Sequence, residues 1–451
     1  MTEDTICAPA TPPVQSPIAI IRMSGPETIR AINSLFISSA ELKPRYARYG
    51  SLVHDGEPVD DAIIVWYESP QSYTGEDMAE IFCHGNPIIV QKIIMMLNGL
   101  GIRLAEPGEF TRRAFLNGKM DLTEAEAINH IITAKSEWEI ETSIRQMHGS
   151  LRDAIGDIRN RIIEFKADIE AGIDFSDEDI DLIQPEKMHR AAVNIRNSIE
   201  DLQGRCRTGE QLSHGIDITI TGKPNVGKSS ILNLLLNQER AIVSSIPGTT
   251  RDIIREPFQL CGMHVNLVDT AGIDSPGGEI ERLGIELSHR NIESAPFIIM
   301  VLDAFVGLNE ADWNILEKTR NKKRIILINK TDIAKPGDIS RIQREVEEET
   351  IPFSALTGEG LAVLKDEISR RIKNEYVQIE NSFIADLRVV ALLDNAAAVS
   401  ARITSLVAER EPGEIIAFEL QALMDIVAEI TGEITPDEIL DSIFSRFCIG
   451  K

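Results

Sequence analysis

The sequence has few cysteines, a shortage of basic charge and no long apolar run, and each shortage excludes a class of protein. Lys and Arg number 46 against 71 Asp and Glu, so the formal net charge is −25. Affinity for phosphate comes mainly from cations that release counterions, so a chain this acidic does not bind nucleic acid through bulk electrostatics. An RNA partner therefore requires a local basic patch or a second protein.

The cysteines are scattered and odd in number: Cys7, Cys83, Cys206, Cys261 and Cys448. No C-x-x-C occurs, and the eight histidines show no H-E-x-x-H or similar ligand spacing. These absences argue against a zinc site and favour reduced thiols in a cytosolic protein.

No uninterrupted apolar run approaches the ~18 residues that a membrane span needs. The first residues, MTEDT, carry acids where a signal or transit peptide carries Arg or Lys. We therefore expect a cytoplasmic protein without a membrane segment. The hydrophobic fraction of 43% is enough for a large core, and the length suggests roughly three domains of about 150 residues each.

Four stretches of different character follow one another along the chain. Residues 1–118 mix short β-rich runs with turns, which predicts an α+β or α/β domain. Helical periodicity covers 121–213 and returns over 387–447, whereas strands and helices alternate over 216–374. We expect domains at 1–118, 119–214, 215–375 and 376–451, with the third inserted into a helical bundle made by the second and fourth.

Local patterns make further predictions. Asp121 and Glu124 form a capping-box pattern, and Thr435 is the expected N-cap of a last helix that has Pro436 at its first position and Glu438 at its third. The acidic run 174–181 lacks the Gly and Glu of a calcium loop, which favours a solvated turn. An apolar stripe at helical spacing, expected in the core or against a partner helix, comprises Ile140, Ile144, Met147, Leu151, Ile155, Ile158, Ile162, Phe165 and Ile169.

The strongest chemical signal lies at 222–229. A strand-like segment, 216–221, runs into G-K-P-N-V-G-K-S and then into a helical segment, 230–237. This is G-x-x-x-x-G-K-[ST] in the strand–loop–helix context of a phosphate-binding loop, whose glycines let backbone N–H groups surround phosphate at a helix N-terminus. We expect Lys228 to contact the β- and γ-phosphates and the Ser229 hydroxyl to bind Mg²⁺.

Two further motifs follow the loop in order. The G-T-T at 248–250 lies on a switch loop and offers Mg²⁺ a hydroxyl, that of Thr250. The D-T-A-G at 269–272 ends a strand-like run, so that Asp269 acts on the ligands of the magnesium and the Gly272 N–H meets the γ-phosphate.

Two more motifs address a base. In N-K-T-D, 329–332, Asp332 can accept two hydrogen bonds from guanine N1 and N2, which adenine cannot donate, while Asn329 addresses the other edge. In S-A-L, 354–356, the Ala355 N–H is expected near guanine O6. Five motifs in order, each at a strand end, predict a GTP-specific domain. The residues expected at the nucleotide are Asn225, Val226, Gly227, Lys228, Ser229, Ser230, Ser244, Ser245, Ile246, Pro247, Gly248, Thr249, Thr250, Asp269, Thr270, Ala271, Gly272, Asn329, Lys330, Thr331, Asp332, Ser354, Ala355 and Leu356.

These motifs resemble the translation-factor-like bacterial GTPases, and the rest of the chain narrows the resemblance to the MnmE (TrmE) family of tRNA-modification GTPases. The pattern extends over essentially the whole chain. The segments that carry it are IIRMSG (20–25), SYTGEDMAEIFCHG (72–85), EPGEFTRRAFLNGKMDLTEAEA (106–127), GKPNVGKSS, SSIPGTTRD, DTAG and the terminal FCIGK.

The resemblance implies a multidomain α/β chain with an N-terminal α+β tetrahydrofolate-binding domain, an α-helical domain and an inserted Ras-like P-loop domain. It implies a homodimer formed through the N-terminal domains, and a heterotetramer or larger complex with an FAD-containing MnmG-like partner. That complex adds a carboxymethylaminomethyl or aminomethyl group to C5 of wobble uridine 34 in certain tRNAs. The one-carbon unit is expected from 5-formyl- or 5,10-methylene-tetrahydrofolate.

The expected catalytic apparatus differs from that of Ras-like enzymes. Ile273 follows the D-x-x-G glycine, where Ras-type proteins have a Gln that orients water. By its place in the family pattern, Glu281 is the catalytic glutamate, in preference to the neighbouring Glu279 and Glu286. The family assigns the role of an arginine finger to K⁺, although Arg251 and Arg255 lie near the switch. The resemblance places the K⁺ ligands at Asn225, Ser244, Ile246 and Thr249.

In the N-terminal domain the resemblance assigns folate binding to Arg22, Glu80 and Lys119, with Lys451 as a further member. A glutamate can accept from pterin N–H groups, and the cations suit the carboxylates of a glutamyl tail. For Cys448, in the terminal FCIGK, two interpretations stay open: a catalytic thiol, or a small buried apolar group.

Two other function classes stay open from the sequence. One is a ribosome-assembly GTPase that binds rRNA, a class that usually carries a basic appendage, and this acidic chain shows none. The other is a folate-dependent transferase whose G domain only regulates assembly. Folate binding separates the ribosomal class from the other two, and the effect of changing Glu281 on tRNA modification separates those.

Overall fold

The computed structural model describes residues 4–174, 184–238, 255–260, 262–269, 296–375 and 379–451. The chain divides into two compact units. The first comprises Met1–Asn129, Ile144–Ile199 and Ala391–Lys451, and the second comprises His130–Ser143 and Glu200–Val390. The acidic run predicted at 174–181 lies, apart from its first residue, outside the described residues.

A seven-stranded sheet begins the first unit. Its spatial order is β3-β4-β5-β6-β2-β1-β7, and its neighbours are antiparallel except for the β1–β7 pair. The strands are β1 (Ile6–Pro9), β2 (Ser16–Ser24), β3 (Phe36–Ile37), β4 (Arg48–His54), β5 (Glu57–Tyr67), β6 (Met78–Gly85) and β7 (Arg103–Leu104), and the helices between them are α1 (Thr28–Leu35) and α2 (Pro87–Gly99).

Alternation along β2 separates the core side of this sheet from its other face. Ala19, Ile21 and Met23 are buried in one cluster with the apolar residues of α1 and α2. Successive side chains of a strand point to opposite faces, so Arg22 lies on the other face, where its cross-strand partner is Glu80 of β6. The pleat therefore brings two of the predicted folate residues together.

Five helices follow the sheet: α3 (Glu109–Leu116), α4 (Leu122–Thr133), α5 (Glu137–Met147), α6 (Ser150–Asp174) and α7 (Pro185–Ser213). The predicted capping box at the start of α4 is confirmed, because the Asp121 N–H donates to Glu124 Oε2 at 2.9 Å and the Glu124 N–H donates to Asp121 Oδ1 at 2.8 Å.

The predicted apolar stripe is only partly correct. Its members on α6, from Leu151 to Ile169, are buried. Ile140 and Ile144 on α5 are instead 40% and 39% exposed, since that helix buries the polar residues Thr142, Ser143 and Gln146. The helix also ends at Met147, so the periodicity does not continue unbroken into α6.

The second unit contains a six-stranded sheet in the order β13-β12-β11-β8-β10-β9, parallel except for the β9–β10 hairpin. Apolar clusters cover both of its faces, as a buried parallel sheet requires. Its strands are β8 (Ile216–Thr221), β9 (Arg255–Leu260), β10 (Met263–Asp269), β11 (Phe297–Asp303), β12 (Arg324–Asn329) and β13 (Thr350–Pro352), and its described helices are α8 (Lys228–Gln238), α9 (Glu310–Lys318), α10 (Pro336–Val346) and α11 (Leu361–Glu375).

The chain ends in α12 (Leu387–Glu409), α13 (Gly413–Thr431) and α14 (Asp437–Phe444). Among the described helices, α12 alone has the length and composition of a membrane span, with a mean hydropathy of 1.3. Val389, Leu393, Ala396 and Ile403 are buried on it, in the manner of a core helix.

The predicted N-cap of the last helix is wrong. Pro436 has ψ 144° and is itself the N-cap, so α14 begins one residue later than expected. The Thr435 hydroxyl makes no hydrogen bond within the described part of the chain. The predicted fold class is confirmed: a mixed α/β chain with an N-terminal sheet domain, helices, and an inserted domain built on a parallel sheet.

Candidate functional site

The phosphate-binding loop joins β8 to α8, as the sequence predicted. Gly222 has φ +149° and Gly227 has φ +101°, a region that side chains with a Cβ rarely adopt. A Cβ on Gly222 would lie 2.5 Å from the Val301 carbonyl oxygen, and one on Gly227 would lie 2.3 Å from Asn329 Nδ2. Glycine is therefore required at both ends of the loop.

Lys228 lies at the start of α8 and is buried. Its ammonium donates to the carbonyl oxygens of Gly222 at 3.0 Å and Lys223 at 3.1 Å, so it spans the curve of the loop. Ser229 and Ser230 are exposed in the first turn of the helix. A helix N-terminus beside a buried lysine can donate hydrogen bonds to phosphate. The exposed serine hydroxyls supply oxygen atoms of the kind that bind a divalent cation.

Asn225 lies in the middle of the loop, in the left-handed region with φ +64° and with its side chain exposed. Its carbonyl oxygen accepts from Lys330 Nζ at 2.8 Å. The carbonyl oxygen of Val226 accepts from Asn329 Nδ2 at 2.7 Å. Both of these contacts use backbone carbonyl oxygens of the loop, so the side-chain amide oxygen of Asn225 lies at the loop surface. Amide oxygens are suitable ligands for a hard cation.

Asn329, Asp332 and Ala355, which were predicted to address the base, come together at and just beyond the ends of β12 and β13. Asn329 Oδ1 accepts from the Ala355 N–H at 3.0 Å. Asp332 Oδ1 accepts from the Ser354 hydroxyl at 2.7 Å, and the Asp332 carboxylate is exposed. A carboxylate oriented by one hydroxyl keeps further acceptor capacity for two N–H donors of a base.

Neighbouring members of the predicted set complete this region. The Thr331 hydroxyl donates to the Phe353 carbonyl oxygen at 3.0 Å, while Leu356 is exposed.

Asp269 is the last residue of β10. The remaining predicted residues lie outside the described residues: Ser244, Ser245, Ile246, Pro247, Gly248, Thr249, Thr250, Thr270, Ala271, Gly272 and Glu281.

In the first unit, Arg22 and Glu80 form a half-buried ion pair. Arg22 donates to Glu80 Oε1 from Nη2 at 2.8 Å and from Nε at 3.2 Å. The other oxygen of Glu80 accepts from the Tyr67 hydroxyl at 3.4 Å. Burial and the Glu80 carboxylate raise the pKa of Tyr67, which keeps that hydroxyl protonated as a donor.

The C-terminal tail reaches the same place. Arg22 Nη1 donates to the Gly450 carbonyl oxygen at 3.1 Å, and the Phe110 N–H donates to the Lys451 carbonyl oxygen at 3.2 Å. The Arg22 guanidinium lies 5.4 Å from the ring centroid of Tyr73 and 5.8 Å from that of Phe110. Burial and the charge of Arg22 lower the pKa of Lys451.

The other two predicted residues of this region differ in position. Lys119 is exposed and donates to the Pro70 carbonyl oxygen at 2.9 Å, and none of the contacts within the described residues joins it to Arg22 or Glu80. Cys448 is exposed, so its interpretation as a buried apolar group is wrong. Its catalytic role stays a prediction.

Sequence reasoning missed several residues at both places. Tyr67, Tyr73 and Phe110 surround Arg22 and Glu80, and two of them lie in segments that carried the family resemblance, 72–85 and 106–127. Asp303 and Asp312 form ion pairs beside the phosphate-binding loop, Asp303 with Lys330 and Asp312 with the loop residue Lys223. No local pattern marked Asp303, because its partner is far away in the sequence.

Comparison with known families covers nearly the whole chain. Residues 5–119 match the family described as the GTP-binding protein TrmE N-terminus. Residues 122–448 match the family described as the MnmE helical domain, which is more than half of the chain.

Curated relatives agree with this over their full length. A protein of Thermotoga sp. (strain RQ2) named tRNA modification GTPase MnmE is 40% identical over 451 residues, covering 99% of this chain and 100% of the relative. The protein of that name from Aquifex aeolicus is 40% identical over 450 residues with the same coverage, and the one from Clostridioides difficile is 37% identical over 456 residues, covering 100% of this chain and 99% of the relative. The chain belongs to the MnmE family of tRNA modification GTPases, and it is a GTP-hydrolysing enzyme.

Proposed function

We propose that this enzyme, together with an FAD-containing MnmG-like partner, adds a carboxymethylaminomethyl or aminomethyl group to C5 of wobble uridine 34 in certain tRNAs. The one-carbon unit would come from 5-formyl- or 5,10-methylene-tetrahydrofolate. The observation that carries the proposal is the Arg22–Glu80 pair, which the Gly450 carbonyl of the C-terminal tail joins through Arg22. This arrangement places the FCIGK segment beside charged and aromatic groups suited to a folate.

The residues around Arg22 fit a folate in three respects. Glu80 is held by Arg22 and Tyr67, and its carboxylate can accept from pterin N–H groups. The rings of Tyr73 and Phe110 supply aromatic surface, Tyr73 being half-buried. Lys451 adds a cation for a carboxylate. A bound folate would carry the one-carbon unit, and the exposed thiol of Cys448 is a candidate nucleophile on the same tail.

In the G domain, the placement of Lys228, Asn329 and Asp332 supports the proposed roles of these three residues, and the other roles rest on the family resemblance. Lys228 binds the β- and γ-phosphates, Asp332 and Asn329 select guanine, and the Ser229 hydroxyl with Thr250 would hold Mg²⁺. Asn225, whose side chain is exposed at the loop surface, would hold K⁺ together with Ser244, Ile246 and Thr249. A monovalent cation there would stabilise the charge that an arginine finger stabilises in other GTPases.

We propose Glu281 as the residue that orients the attacking water indirectly. Ile273 occupies the position that follows the D-x-x-G glycine, and an aliphatic side chain cannot hydrogen-bond water. The family resemblance assigns the catalytic glutamate to Glu281, and a carboxylate has the acceptor capacity that Ile273 lacks.

The proposed assembly is a cytoplasmic homodimer that joins the FAD protein in a heterotetramer or larger complex, with tRNA as the substrate of the complex. The net charge of −25 supports a division of labour in which the partner supplies much of the tRNA affinity. The domain boundaries, 1–118, 119–214, 215–375 and 376–451, stay a prediction.

The test is nucleoside analysis of tRNA from cells that lack the protein, rescued with plasmid-borne variants. We expect the C5-modified wobble uridine to disappear in the deletion strain and to return with the wild-type chain. Glu80→Gln, which removes the carboxylate charge beside Arg22, should fail to restore it. Glu57→Gln, which changes an exposed acid on β5, should restore it and serves as the control.

Two results would contradict the proposal. One is an unchanged tRNA nucleoside profile in the deletion strain, which would favour a ribosomal role. The other is full rescue by Glu80→Gln with unaltered folate affinity of the purified protein, measured by calorimetry, which would exclude this place as the folate site.

A further inference from the structure

Two buried carboxylates that no motif marks lie behind the phosphate-binding loop. The first is Asp303, the last residue of β11, which is 3% exposed. Its Oδ2 lies 2.7 Å from Lys330 Nζ, and its Oδ1 accepts from the N–H groups of Phe305 at 2.9 Å and Val306 at 3.1 Å. Both oxygens therefore have fixed partners, so the carboxylate cannot rotate away from the lysine.

Lys330 passes this constraint on to the loop. Besides Asp303, its ammonium binds the carbonyl oxygen of Asn225 at 2.8 Å. A lysine has a flexible stem and a strongly hydrated head, so without a buried anion its ammonium would turn toward water. Asp303 thus keeps Lys330 directed at Asn225.

The second carboxylate, Asp312 of α9, acts on the beginning of the loop. It is fully buried, and its Oδ2 lies 2.7 Å from Lys223 Nζ, which also donates to the Gly307 carbonyl oxygen at 3.0 Å. Asp312 is fixed in turn by a capping box with Asn309, whose N–H donates to the same Oδ2 at 3.0 Å.

The loop needs such external contacts. Asn225 is held at φ +64°, a left-handed conformation that is uncommon for residues with a Cβ although asparagine adopts it more readily than most, and contacts from the surrounding structure stabilise it there. The ion pairs reach the loop at its second residue, Lys223, and at its fourth, Asn225. The two ion pairs therefore hold the segment of the loop that offers N–H groups to phosphate. The same segment carries Asn225, the loop side chain proposed as a K⁺ ligand.

We propose that Asp303 and Asp312 are positioning residues of the phosphate-binding loop. Asp303 acts through Lys330 and fixes the backbone of Asn225, so that its side chain is directed toward the cation, and Asp312 acts through Lys223 and fixes the start of the loop. The part that concerns K⁺ rests on the proposed function, whereas the part that concerns nucleotide retention does not.

Asp303→Asn tests the first arm in the full-length protein. Asparagine keeps an oxygen for the N–H groups of Phe305 and Val306 but loses the charge that holds Lys330. We expect the K⁺ concentration for half-maximal GTP hydrolysis to rise about tenfold, with a smaller change in the rate at saturating K⁺. The reason is that the charged contact between residue 303 and Lys330, which holds Asn225 in position for the ion, is lost. Glu310→Gln, on the exposed side of the first turn of α9, is the matched control and should leave both quantities unchanged.

Asp312→Asn tests the second arm independently. The amide oxygen can still accept from the Asn309 N–H, so the cap is kept while the partner of Lys223 loses its charge. We expect a fluorescent GDP analogue to dissociate roughly tenfold faster from this variant, measured by stopped flow. Thermal denaturation of each variant shows whether it is folded. Only a folded variant decides the part of the proposal that it tests.

The outcomes separate this proposal from the function proposed above. A folded Asp303→Asn protein with unchanged K⁺ half-saturation and unchanged GDP dissociation overturns the Asp303 arm, and unchanged GDP dissociation in Asp312→Asn overturns the other. If the wild type hydrolyses GTP equally in Na⁺ and K⁺, the K⁺ site is rejected. Faster GDP dissociation in both variants would then still support the role of the two carboxylates in holding the loop.

Discussion

At the scale of single residues, we propose that the exposed carboxylate of Asp332 selects the base. Its Oδ1 is oriented by the Ser354 hydroxyl, an interaction that the amide oxygen of asparagine can keep. Asp332→Asn removes an acceptor for guanine N1 and N2, so we expect GTP affinity to fall by about 100-fold or more. Xanthosine triphosphate, whose oxygen replaces the guanine amine, should bind the variant better than GTP does.

Competition binding with GTP and xanthosine triphosphate measures both effects. Glu345→Gln, an exposed acid on α10, is the control and should leave the GTP affinity unchanged. Retention of wild-type GTP affinity by Asp332→Asn would remove Asp332 from the base-binding site.

The thiol of Cys448 is the second residue-scale question. It is exposed on the tail whose Gly450 carbonyl oxygen accepts from Arg22. We expect Cys448→Ser to keep its melting temperature, its GTP hydrolysis and its folate affinity, because an exposed sulfur contributes little to packing. If the thiol reacts, tRNA modification should be lost.

Nucleoside analysis of tRNA from cells carrying the variant provides the readout. Ile449→Ala, a change at the next position, which is also exposed, controls for disturbance of the tail. Normal modification by Cys448→Ser would exclude chemistry at this sulfur and leave the tail with a binding role.

At the scale of elements, the β9–β10 hairpin carries a buried histidine and contacts the start of α5. The Trp138 N–H donates to the Gly262 carbonyl oxygen at 3.0 Å, and Gln259 Nε2 donates to the Lys135 carbonyl oxygen at 2.7 Å. His264 is 6% exposed on β10, and neither ring nitrogen has a hydrogen-bond partner by distance and angle within the described part of the chain.

Burial and the Lys135 ammonium lower the pKa of His264, outweighing the opposite effects of Glu139, the nearby Ser213 backbone and Asp217. In the unfolded chain the residue gains a proton near pH 6.5, but in the folded state it does so only at lower pH. The unfolded state therefore binds more protons in this range, and we expect the free energy of unfolding to fall as the pH drops below about 6.5, by at most about 1.4 kcal/mol per pH unit.

Urea unfolding followed between pH 5 and 8 measures this slope. His264→Gln has no titrating ring and should be less sensitive to acid, by at most the one proton that the ring gains. Equal slopes for His264→Gln and the wild type would show that His264 is not the group responsible.

Local sequence patterns predicted those elements whose signal is contained in a few neighbouring residues. Asp121 and Glu124 are three residues apart, so the capping box could be predicted without tertiary information. The prediction of Thr435 as the N-cap of the last helix was wrong, because Pro436 has an extended ψ of 144° and is itself the N-cap. On α5, Ile140 and Ile144 were misplaced since tertiary contacts bury the polar side of that helix.

The same limit applies to the candidate sites. The contiguous loop at 222–229 and the N-K-T-D motif could be predicted because their backbone geometry is local. The Arg22–Gly450 hydrogen bond joins positions 428 residues apart, and the Lys330–Asp303 pair connects the ends of two neighbouring parallel strands. Contacts of this kind depend on strand order, which no local pattern contains.

At the scale of the whole molecule, the net charge of −25 sets the conditions for tRNA binding. We expect the purified chain alone to bind tRNA weakly at physiological salt, and addition of the proposed FAD-containing partner to increase the affinity by about tenfold or more. Filter binding or fluorescence anisotropy at fixed salt gives both values. Tight binding by the chain alone would require a local basic patch and would contradict this division of labour.

GTP hydrolysis is the second whole-molecule property, and we expect it to depend on K⁺ and on an encounter between two G domains. Ile273 offers no water-orienting group, and Asn225 is the one proposed K⁺ ligand on the described loop. The other proposed ligands, at 244–249, lie outside the described residues, on the segment that the sequence predicts to be a switch loop. Closure of a switch loop would complete the set of ligands around the cation, and contact with a second G domain would favour that closure.

Exchange of Na⁺ for K⁺ at equal ionic strength should therefore raise the turnover of GTP by about tenfold or more, the scale of one well-placed charge. Asn225→Ala should lose most of this difference, because it removes the side-chain ligand while leaving Lys228 and the base-binding residues in place. Turnover should also rise with the concentration of an isolated G domain in K⁺ but not in Na⁺, since only the ion links hydrolysis to association. Equal rates in the two salts for the wild type would show that hydrolysis uses a different positive charge, and Arg251 and Arg255 would then be the residues to change.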